Sequence, residues 1–153
     1  MNFDNDSARR LLVMFGTVCD ETCNKYNKMV HIPEEKREEL KYTLLNNRGI
    51  PAHAEDYFMT AVLGASDIAR EKSRSKITGT DVVAWFTGNG HNSLANLYGL
   101  ESCKGFKGKV SRVDGDKVSI QTSDGIKICE PLFYRPKVGE SVAIHHHKII
   151  CSV

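Results

Sequence analysis

Apolar positions in the first hundred residues recur at three- and four-residue steps, which gathers them on one side of successive helices. Leu11, Leu12, Phe15, Val18, Cys19, Tyr26 and Val30 form the first stripe and predict one long amphipathic helix. His31-Ile32-Pro33 interrupts it. Pro33 at a first-turn position, followed by Glu34 and Glu35, predicts a second helix whose acids suit the positive end of the helix dipole. Leu40, Leu44 and Leu45 supply its buried face, and Asn46-Asn47-Arg48-Gly49 ends it, with Gly49 as the left-handed cap. A third helix is predicted from Ala54 to Arg74, striped by Tyr57, Phe58, Ala61, Val62, Ala65, Ile68 and Ala69. Thr78 stands three residues before Asp81, the spacing of a capping box, and launches a short helix bearing Val82, Val83, Trp85 and Phe86. Gly88-Asn89-Gly90 stops that helix, and a last helical piece runs from Asn92 to Tyr98.

From Cys103 the period becomes two. Val110 to Val113, Val118 with Ile120, Ile126 to Cys129, Val142 to Ile144 and Lys148 to Cys151 are strand-like, and Asp114-Gly115 and Asp124-Gly125 mark hairpin turns. About fifty residues with this spacing suit a small barrel rather than a sandwich. The pattern therefore predicts an α+β protein: a helical bundle over 1–100, then a small OB- or SH3-like β-barrel over 103–153.

Composition refines this only slightly. With 41% hydrophobic residues, 26% charged and a net charge of +2, the chain has enough apolar mass for a core and no bulk cationic character. Charge is uneven, at 12 basic against 14 acidic residues in 1–102 and 9 against 5 in 103–153. The N-terminus is acidic and lacks a signal-type apolar run, and the longest apolar stretch, Leu11 to Phe15, is too short for a bilayer. Five cysteines without an export signal predict reduced thiols in the cytoplasm and no membrane association.

The chemistry that stands out is thiol and imidazole. Cys103 sits at the mouth of the first strand near Lys104 and Lys107, cations that favour thiolate. His145 lies on a later strand, and in an extended chain His147 would share its face while His146 points away. A barrel could join Cys103 with His145 and His147 into a site for iron or another transition metal. Burial as a small hydrophobe is the competing fate of Cys103, and an exposed polar turn that of the histidines. Cys129 and Cys151 fall inside apolar strand patterns and are expected in the core. Cys19 and Cys23, one helical turn apart, could grip a metal or a partner's cysteine, although their apolar stripe favours helix packing. His91, in a polar break, could join a site only if the fold carries it to the barrel mouth. There is no phosphate-binding Gly-rich loop, His-Glu-x-x-His, Gly-x-Ser-x-Gly or paired CxxC, so no catalytic residues are expected.

Cys103-x-Gly105-x-x-Gly108-x-Val110, Val113-Asp114-Gly115-Asp116, Gly125-Ile126 and Val138-Gly139-Glu140-x-Val142-x-Ile144-His145 occur in that order. This third of the chain resembles the hydrogenase maturation chaperones of the HypC/HupF type. The resemblance implies a non-catalytic assembly factor that binds a protein partner, with Cys103 and His145 linked to carriage of an iron centre. In that family the cysteine follows the initiator methionine, whereas Cys103 is internal. A second segment, Ala69 to Val83, looks like the end of the central helix, the basic loop and the last helix of a histone fold. It implies an alternative nucleic-acid-binding role in which Arg70, Lys72, Arg74 and Lys76 share a surface with the basic barrel face. A purely structural interaction subunit is the third reading.

Overall fold

The computed structural model describes residues 1–18 and 32–153. The predicted stripe residues Cys19, Tyr26 and Val30, together with Cys23 and His31, lie outside the described residues. Helix α1 (Asp6–Thr17) starts at Asn5, whose side chain accepts from the Ala8 N–H and so satisfies one of the orphan donors of the first turn. The helix buries Ala8, Leu12, Val13 and Phe15. Helix α2 (Glu34–Leu45) forms where the sequence predicts a second helix, with Pro33 as its N-cap rather than in its first turn. At its end Asn47, not Gly49, takes the left-handed backbone (φ 51), a region asparagine enters more readily than most side chains.

The predicted helix from Ala54 to Arg74 is two elements. A 3-10 turn (Ala54–Phe58) leads into α3 (Met59–Glu71), and left-handed Ser73 (φ 56) lies just past its end. Helix α4 (Gly79–Thr87) opens with the expected capping box: the Thr78 N–H and hydroxyl both donate to the Asp81 carboxylate, at 2.9 and 2.7 Å. Asp81 is fully buried. Burial alone would raise its pKa, but the Thr78 donors and the Arg74 guanidinium outweigh burial and hold the carboxyl below its ordinary value. Helix α5 (Asn89–Leu97) follows after the single residue Gly88, earlier than the pattern suggested. No helix of the described residues is long and apolar enough to cross a membrane.

Five strands form a closed barrel: β1 (Gly105–Asp114), β2 (Lys117–Thr122), β3 (Gly125–Pro131), β4 (Ser141–His145) and β5 (Lys148–Ser152). The order is β1-β2-β3-β5-β4, antiparallel except for a β3–β5 ladder of two residue pairs, Glu130 with Lys148 and Pro131 with Ile149. This five-stranded closure after a helical part is the small barrel that the sequence predicts. A register shift between Val110 and Arg112 marks a bulge in β1. Bulges bend a strand, and β1 pairs with β4 along its first half and with β2 along its second.

Two hydrophobic cores result. Val110, Val118, Ile120, Cys129, Val142, Ile144 and Ile149 fill the barrel. The helical core, centred on Leu12, Phe15, Leu40, Phe58, Val82 and Phe86, also takes in Ala143 and Ile150 from the outside of the barrel. The strand period explains this split. Val142 and Ile144 point inward, so Ala143 and then His145 face the helices.

Candidate metal centre

That alternation places His145 beneath the helical layer at the end of β4, where it stands opposite Gly105 of β1. Cys103 closes a short 3-10 turn (Glu101–Cys103) two residues before Gly105, so it reaches the same end of the barrel. His91 arrives from the first turn of α5. One donor atom from each of His91, Cys103 and His145 lies within 4.8 Å of the others. Cys103 Sγ is 3.8 Å from His145 Nε2.

Neighbouring hydrogen bonds settle which nitrogens are available. His145 Nδ1 is 2.9 Å from the carbonyl oxygen of Phe15. A carbonyl only accepts, so Nδ1 carries the proton and Nε2 presents its lone pair to the sulfur. The S–H of Cys103 therefore donates to Nε2. Asn92 orients His91 by the same logic. Its amide donates to the Gly105 carbonyl and its Oδ1 accepts from the Gly105 N–H, both at 2.9 Å. That Oδ1 also lies 3.2 Å from His91 Nδ1, which must then be the donor, leaving Nε2 of His91 as the nitrogen able to bind a metal.

Gly105 is required here by space. A Cβ at this position would overlap the carbonyl oxygen of Phe86 and lie 2.9 Å from its carbonyl carbon. Backbone of α4 thus meets backbone of β1, while Asn92 bridges α5 to the same glycine.

The ring of His145 is fully buried, beside Phe86 (5.2 Å between centroids), His91 (4.9 Å) and Phe15 (6.1 Å). Burial pushes its pKa below the usual 6.5; His91 and His146 push the same way, and the Cys103 contact opposes them. A neutral imidazole is the form that binds a metal.

The donor set fits a transition metal. Metal–sulfur and metal–nitrogen bonds of about 2.3 and 2.05 Å at a tetrahedral angle put the two donors about 3.6 Å apart. The observed 3.8 Å needs almost no movement. Thiolate with imidazole suits zinc, iron or nickel, and three protein donors leave one tetrahedral position for another ligand.

The other sequence-predicted residues fall elsewhere. His147 is exposed and does not join the cluster. Strand β4 ends at His145, and His146 and His147 form the hairpin turn with φ of 53 and 58, so the shared face expected of an extended chain does not exist. Cys103 is enclosed at 5% exposure rather than open at the barrel mouth. Lys104 pairs with Glu101 at 2.8 Å, and Lys107 is exposed. Cys129 lies in the barrel core and Cys151 against the helical core, and burial pushes each thiol up to about 11. Both are inert thiols of the structural kind. In the basic loop, Arg70 pairs with Asp67 at 2.7 Å, Lys72 and Arg74 both pair with Asp81, and Lys76 is exposed. Three of the four cations are thus engaged within the chain.

Comparison with protein-family models, with curated proteins and with solved structures returns no match to this chain.

Proposed function

We propose that this chain is a non-catalytic accessory factor, akin to the hydrogenase maturation chaperones, that holds one transition-metal ion between Cys103 and His145 and works with a protein partner. The observation that carries this reading is the approach of the Cys103 sulfur to the unprotonated nitrogen of His145 at 3.8 Å, close to the separation a bound ion imposes. The Phe15 carbonyl behind His145 supports it, because metal-bound imidazoles characteristically donate their other N–H to such a group. Enclosure of the thiol makes the ion a retained one, and hand-over to a partner requires the cluster to open.

The test is metal content after anaerobic purification, followed by titration of chelator-treated protein with Fe2+, Zn2+ and Co2+. About one ion per chain is expected, and Cys103→Ala should abolish binding. Wild-type protein that takes up none of the three ions ends the reading.

A further inference from the structure

We propose that His91 is a third ligand and that the ion it shares with Cys103 and His145 latches the helical layer to the barrel. This inference rests on the metal reading above and adds to it the regulation of the same site. The three donors come from different parts of the fold: His91 from α5, Cys103 from the turn entering the barrel, and His145 from the end of β4. An ion bound to all three must cross the junction between helices and barrel.

The junction is built to hold that geometry. Asn92, adjacent to His91, grips both backbone groups of Gly105, the register partner of His145. The same Asn92 oxygen orients the His91 ring. His91 also meets Phe86 (5.2 Å) and Trp85 (6.3 Å), so its ring is fixed against α4. Asn92 is therefore a positioning residue, since it orients one donor and anchors the chain that carries another. Binding is balanced by loss of the Cys103 S–H proton to solvent as the metal–sulfur bond forms. Each imidazole binds through a ring-nitrogen lone pair. In the metal-loaded protein α5 is then tied to β1 and β4 through coordinate bonds as well as through the Asn92 clamp.

The experiment uses the full chain with Co2+, whose thiolate complexes absorb visibly, and Zn2+ for hydrogen exchange. His91→Phe keeps the ring volume without a ligand atom, and His91→Asn is a smaller polar alternative, with folding of each checked by circular dichroism. Either variant should bind Co2+ on the order of 100-fold more weakly, and Asn92→Ala about 10- to 100-fold more weakly. Zn2+ should slow amide exchange in Asn89–Leu97 and at Gly105 of the wild type. If both His91 variants bind Co2+ like the wild type while Cys103→Ala does not, the latch is overturned and the two-residue metal reading survives. Unchanged exchange in α5 on Zn2+ binding also overturns the latch. A wild type that binds neither ion overturns both.

Discussion

Acidification should destabilise the metal-free protein through His145 by an amount that follows from its burial. The ring is fully enclosed and its folded-state pKa lies below the usual 6.5. Below that value the unfolded chain takes up a proton that the folded state refuses. The stability contribution is therefore complete above about pH 6.5 and is lost as the pH falls. Each pH unit over which the buried ring stays neutral costs about 1.4 kcal/mol. That is a large share of the 5–15 kcal/mol typical of a folded domain. Urea unfolding of chelator-treated protein at about pH 7.5 and about pH 5 measures it, with His145→Asn as reference. The asparagine amide stands near the position of Nδ1 and can still donate to the Phe15 carbonyl, yet it does not titrate. Groups remote from His145 contribute equally to both proteins and cancel in the comparison. The wild type should lose more stability than the variant on acidification, by at most about 1.4 kcal/mol for each pH unit below 6.5. Equal losses would mean that the folded protein protonates His145 as readily as the unfolded chain does, against its burial.

Two further outcomes test the site's surroundings. Gly105→Ala should cost about 3 kcal/mol in urea unfolding, with an unchanged m-value, because its methyl meets the Phe86 carbonyl and not a flexible side chain; a loss under about 0.5 kcal/mol would show that α4 and β1 can separate freely. His147→Gly should stabilise the chain by about 0.5–1 kcal/mol by relieving a left-handed histidine (φ 58), and should leave Co2+ affinity unchanged; weakened Co2+ binding would restore His147 to the metal site.

The helical and barrel halves were legible because each buries one face, and the spacing of buried positions reports which kind of element carries them. The stripe from Tyr57 to Ala69 could not reveal the 3-10 turn at its start, since apolar residues three apart serve both helix types. Asn47 took the left-handed position in place of Gly49, a choice made by local hydrogen bonding that composition does not display. Reading period two through His145, His146 and His147 failed because a two-residue hairpin turn demands positive φ at both positions, and two histidines are an uncommon way to meet that demand. Pairing of Cys103 with His145 was visible from the barrel pattern, as β1 and β4 close on each other. The third donor was not. His91 is 54 positions before His145 in the chain and is brought to it only by the docking of α5, for which the sequence signal was no more than a histidine in a polar break.

The narrow β3–β5 ladder has a consequence for handling the protein. Gly125 to Cys129 pair with β2 on one side and have no ladder on the other among the described residues, while Ile126 and Ile128 show 62% and 54% of their surface to solvent. An apolar strand with one unused row of backbone donors and acceptors is a template for a neighbouring chain. Lys127 lies between the two isoleucines in sequence but turns to the other face of the strand, where it pairs with Asp124 at 2.7 Å and lies over the Phe106 ring, so it does not guard this seam. Concentrated preparations will therefore self-associate first along this seam, and a charge placed at Ile126 or Ile128 is the change that would slow it.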